Sequence, residues 1–127
     1  MKKLLVLMLF MISTSLGLAQ RGERVASIKV AFIANKLNLD PKTAERFWPV
    51  YNQYDEELHN LIEEKRRAKK DDASVEDMLD TEQKVVDLRK KYTAQFSKII
   101  SNDQIATLFR AEKEFRQMLL RRAGRDK

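Results

Sequence analysis

The chain has 127 residues, 43% hydrophobic and 35% charged, with a formal net charge of +6, a single His and no Cys. Without Cys there is no disulfide framework, thiol nucleophile or thiolate metal site, and one His argues against a multi-histidine centre or a serine triad. The length suits one domain with a real but thin core.

Residues 1–19 read as a secretory signal peptide. Lys2 and Lys3 give a basic start, and residues 4–12 form an apolar run too short to span a bilayer. Gly17, Leu18 and Ala19 place small residues before a cut at Gln20. The remaining domain, residues 20–127, has 108 residues and a net charge of +4. Export sets nucleic acid aside as a partner and favours acidic protein surfaces or anionic lipid.

No glycine stands between Gly22 and Gly124, and both prolines, Pro41 and Pro49, are close together. A chain so poor in breakers and so rich in Ala, Leu, Glu, Lys, Arg and Gln predicts helices throughout. No alternating apolar-polar run predicts a strand. Charges of both signs are mixed along the sequence, which argues against disorder except at the ends.

The first helix is expected over about 24–37, with Val25, Ile28, Ala31, Phe32, Ile33 and Leu37 as a broad apolar stripe. It should stop at Asn38, which tolerates the left-handed conformation of a helix end. Asp40 and Pro41 open the second helix as N-cap and first helical residue. Ala44, Phe47, Trp48, Tyr51, Tyr54, Leu58, Leu61 and Ile62 then recur at helical spacing to about Lys69. Pro49 predicts a kink near Trp48. Spacing favours the core for Phe47, Trp48 and Tyr51, and leaves Tyr54 as a contact candidate.

A polar turn at 69–73 leads to Ser74, the cap of a third helix, with Asp77 in the capping-box position. Its stripe is Met78, Val85, Leu88, Tyr92, Phe96, Ile99 and Ile100. Ser101 and Gln104 form a second capping box and open a fourth helix carrying Ile105, Leu108, Phe109, Glu112, Phe115 and Leu119, which should stop before Gly124. The fold class is therefore all-α, with four helices. The short turn between the second and third makes them a long, bent antiparallel hairpin, with the other two helices flanking it. So thin a core leaves apolar surface that a homodimer would bury.

The openings of the second and fourth helices are alike. One is Leu39, Asp40, Pro41, Lys42, Thr43; the other is Ile100, Ser101, Asn102, Asp103, Gln104. They resemble the paired LTxxQ signatures of the Spy/CpxP family of periplasmic stress proteins. The second is a conservative match. The first departs twice, with Asp for Thr, which keeps the cap, and Thr for the Gln that reaches back to it. Residues 30–54, including Phe47-Trp48-Pro49-Val50-Tyr51, and residues 108–122 resemble the Bacteroidetes-type branch labelled periplasmic heavy-metal sensor or sensor of ECF-type sigma factor.

The resemblance implies a bent helical hairpin, an antiparallel cradle-shaped dimer and a periplasmic location. It implies binding of unfolded or misfolded protein without ATP, or restraint of a membrane stress sensor. The leading expectation is a chaperone-like binding protein of the envelope stress response. The alternative is a regulatory module that binds a membrane anti-sigma factor or sensor and is titrated away under stress. A metal sensor ranks third: Glu56, His59 and Glu63 make only half of a di-iron carboxylate motif, and no second His completes it.

Arg66, Arg67, Lys69, Arg110, Arg116, Arg121 and Arg122, with Tyr54, are the candidate partner-contact residues. The cations would steer acidic segments of clients. A solvated hairpin tip and a basic helix end are the plainer readings of the same cations. No phosphate loop, nucleophile–base pair or cofactor motif predicts an enzyme.

Overall fold

The computed structural model describes residues 16–68 and 74–125. Among them are four helices and no strand: α1 (Leu16–Leu37), α2 (Pro41–Ala68), α3 (Val75–Phe96) and α4 (Asn102–Arg125). None is long and apolar enough to cross a membrane.

Three boundaries differ from expectation. α1 begins at Leu16, well before Arg24, and so runs through the expected cleavage point at Gln20; residues 1–15 of the expected signal lie outside the described residues. α3 stops at Phe96 and does not reach Ile100. There the Ser97 hydroxyl donates to the Ala94 carbonyl at 2.8 Å, and the Ile100 amide donates to the Phe96 carbonyl at 2.8 Å. Serine bonded back to its own backbone competes with helix continuation. Ile100 is then buried in the corner between α3 and α4. α4 continues through Gly124, whose φ is not positive, so this glycine does not serve as a left-handed stop. Asn38 does: its φ is 47°, as its position after α1 predicts.

The chain divides into two compact units. The larger comprises Asn38–Phe109, and the other pairs Met1–Leu37 with Arg110–Lys127.

In the Asn38–Phe109 unit, α2 and α3 run antiparallel. Phe47 meets Phe96, Tyr54 meets Tyr92, Lys91 pairs with Glu57 and Lys65 pairs with Asp80. The turn that joins them, 69–73, lies outside the described residues. Phe47, Tyr51, Tyr54, Tyr92 and Phe96 form one buried aromatic cluster, which Phe109 at the start of α4 meets through Tyr54; Ile105 and Leu108 are buried in the same unit. Trp48 is only half-buried, its ring set edge-on against Phe47 and Tyr51. Pro49 lies on the opposite, exposed side of α2, and the helix passes through it without interruption.

In the other unit, α1 packs antiparallel on the C-terminal half of α4. The Phe32 and Phe115 rings are 5.8 Å apart, and Lys36 bridges Glu114 at 3.3 Å. Ile33, Leu37, Ala111 and Phe115 are buried here, and Glu112, a carboxylate in an apolar stripe, is buried with them at 4% exposure.

Candidate functional site

The paired helix openings, on which the resemblance rests, are N-caps. At α4 the box is reciprocal. The Gln104 amide donates to Ser101 Oγ at 3.2 Å, and the Ser101 amide donates to Gln104 Oε1 at 2.9 Å. At α2 the exchange is altered. The Thr43 amide donates to Asp40 Oδ1 at 2.8 Å, while its hydroxyl donates to Asp40 Oδ2 at 2.9 Å. Thr43 is too short to reach the Asp40 backbone as a glutamine would, so it fastens the cap's carboxylate instead. Those two bonds, the backbone amide first, lower the Asp40 pKa from its ordinary value. Leu39 is half-buried, Ile100 is buried and Pro41 is exposed as the first residue of α2. Ser101→Ala is expected to lower stability by about 1 kcal/mol, read as a shift in the urea midpoint, with Ser101→Asp retaining most of it.

At α3 the Asp77 amide donates to Ser74 Oγ at 3.1 Å, and the Ser74 hydroxyl donates to Asp77 Oδ2 at 2.9 Å. This is again a cap whose third residue holds the cap's side chain. Lys65 lowers the Asp80 pKa through a 2.9 Å hydrogen bond and its charge, and Lys84 adds to the charge. Burial first, then the Glu57 carboxylate, raises the Tyr92 phenol.

The candidate contact residues do not form one patch. Tyr54 is a correction: it has no exposed surface and touches four rings, those of Tyr51, Tyr92, Phe96 and Phe109, so it belongs to the core. Its three-residue step from Tyr51 keeps it on the packing face of α2. Arg66 and Arg67 are exposed near the end of α2, with Arg66 3.7 Å from Glu63. Lys69 lies outside the described residues. Arg110, Arg116, Arg121 and Arg122 are exposed on α4 and belong to the other unit.

His59 is exposed. It shares a shallow depression with Asn60, Glu63, Glu64 and Arg67. Among the described residues no three His, Asp or Glu side chains converge as a metal ligand set.

Two features escaped the sequence reading. The first is an apolar stripe facing solvent on α3. Val75, Met78, Leu79 and Val86 are 72%, 54%, 60% and 42% exposed. At 3.6 residues per turn they occupy one face about 100° wide. Met78, expected in the core, is therefore on the surface. Val85 and Leu88 are only half-buried, and Ile62 on α2 is half exposed. Glu82 lies within the stripe and Glu76 is the nearest carboxylate beside it, while Asp77 and Asp80 are on the other side of α3, where Asp80 pairs with Lys65 and Lys84. The 3–4 spacing of the stripe was legible. That no third helix among the described residues of this unit covers the distal halves of α2 and α3 was not.

The second feature is a division of charge. The Met1–Leu37 and Arg110–Lys127 ranges hold thirteen Lys and Arg against four Asp and Glu, net +9, whereas Asn38–Phe109 holds twelve against fifteen, net −3. The mixed charge of the linear sequence is thus sorted by the fold.

Against family models, curated proteins and solved structures the chain finds no match.

Proposed function

We propose that this chain is an exported, periplasmic, ATP-independent binding protein of the envelope stress response that captures unfolded or misfolded protein. The observation that carries the reading is the α3 stripe of Val75, Met78, Leu79 and Val86, with Ile62 on the partner helix. Four large apolar side chains on one solvent-facing side of a helix are a surface suited to apolar partner segments. The all-helical fold and the two capped openings at the residues that carry the Spy/CpxP resemblance support it. In this reading the hairpin is bent at Pro49, and two chains form an antiparallel cradle whose inner face presents the stripe. Glu82 within the stripe and Glu76 beside it favour client segments that are apolar and basic, while Arg66 and Arg67 on α2 offer the opposite charge.

The test is aggregation of a urea-denatured client on dilution, followed by light scattering, with the full chain at equal molar ratio. Suppression is expected. Leu79→Glu with Met78→Glu should abolish it while leaving the helical melting curve in place, since both side chains are exposed. No suppression at molar excess would sink the reading and move the assignment to the regulatory module that binds a membrane anti-sigma factor or sensor.

A further inference from the structure

Within the positive unit, the last turns of α4 have an unusual composition. Its described side chains comprise nine cations and two carboxylates. Glu112 is buried and Glu114 is held by Lys36, so neither offsets the cations at the far end of α4. No acidic residue occurs in 115–125, which carries Arg116, Arg121, Arg122 and Arg125, all exposed. Among these arginines stands Leu120, at 67% the most exposed large apolar residue of α4. Arg116 lies one turn before it on the same side, and Gly124, with nothing within 4 Å of where a Cβ would stand, lies one turn after. Met118 and Leu119 are partly exposed beside it.

The mixture selects the partner. A plain polyanion site needs the arginines but gains nothing from an exposed leucine. A nucleic acid would be met by cations and stacking aromatics. Here the unit's two described rings, Phe32 and Phe115, are turned toward each other. An exposed leucine with Arg116 on its own face, Arg121 beside it and Arg125 further round suits a surface that is anionic outside and apolar beneath, where these cations meet lipid phosphates and the leucine enters below them.

We propose that the C-terminal end of α4 docks the protein on an anionic lipid bilayer through the face that carries Leu120, with Arg116 and Arg121 on either side of it and Arg125 at its edge. This surface is separate from the α3 stripe and does not depend on what that stripe binds.

The test is flotation of the full chain with phosphatidylglycerol vesicles and with phosphatidylcholine vesicles, at low and high salt. Binding to phosphatidylglycerol should exceed binding to phosphatidylcholine by well over tenfold and fall as salt rises. R121Q/R122Q should weaken it about fivefold, the effect of one cation removed, because Arg122 faces away from the docked side. L120A should weaken it about fivefold to tenfold. Residues 1–19 are common to all variants, so a loss that follows a substitution on α4 is read as α4 binding, and R116Q/R125Q repeats the test at independent positions. Equal binding to both lipids, or unchanged phosphatidylglycerol binding in both arginine pairs, would overturn the proposal. So would a protein that binds polyglutamate or DNA as well as it binds phosphatidylglycerol, with L120A neutral in each case; that result describes a polyanion patch.

Discussion

Tyr54→Ala is expected to remove about 3–5 kcal/mol of stability, the range for deleting a large buried aromatic. Tyr54 is fully buried, with ring centroids of Tyr92, Phe96, Tyr51 and Phe109 at 5.4, 6.0, 6.1 and 6.2 Å. Its partners come from α2, α3 and α4, so its loss opens a cavity where three helices meet, and no single neighbour can move to fill it. A domain of this size holds about 5–15 kcal/mol in all, so the variant should be near the edge of folding at 37 °C. Tyr54→Phe keeps the ring and should cost far less. Urea unfolding of the two variants checks this; similar midpoints would mean that the ring contacts are not what the position supplies.

Pro49→Ala should act in the opposite direction, raising stability by about 1–2 kcal/mol. Proline inside a helix costs about 3 kcal/mol relative to alanine, because it lacks an N–H and crowds the preceding turn. Here the cost is reduced. Pro49 and Glu45, whose carbonyl would accept that bond, are both on the exposed side of α2, where water can serve the carbonyl. Proline also restricts the unfolded chain, which offsets part of any gain from its removal. A denaturant series on Pro49→Ala decides the sign. A less stable variant would mean that the local backbone geometry Pro49 imposes is needed to seat Phe47 and Trp48 against Tyr51.

Helix number, the three N-caps and most of the core were legible because each is written in short-range chemistry. Asp40, Ser74 and Ser101 are capping side chains followed three residues on by a polar group. Phe47, Tyr51, Tyr92, Phe96, Leu108 and Phe115 repeat at the helical period. What was not legible depends on which faces find a cover. Met78 and Leu88 lie at similar helical spacing, yet one is exposed and the other half-buried, because among the described residues of this unit no third helix packs over the start of α3. Tyr54 had a polar hydroxyl to argue for the rim, but its position one turn from Tyr51 and Leu58 outweighed that. The candidate arginines that are described lie exposed, but nothing in their linear order signals that the fold would divide them between two units of opposite net charge. That division was countable only after Arg24, Lys29 and Lys36 were paired in space with the distant arginines of α4.

The aromatic residues are partitioned just as unevenly, and this makes the molecule its own instrument. The single Trp and all three Tyr, namely Trp48, Tyr51, Tyr54 and Tyr92, lie in the Asn38–Phe109 unit, while the other unit contributes only phenylalanines. Tryptophan emission and the near-ultraviolet dichroism of tyrosine therefore watch one unit alone, whereas the amide signal sums both. If the two signals melt at the same temperature, α4 couples the units into one cooperative transition; if the amide signal begins to fall first, the cationic unit opens while the aromatic cluster is still closed.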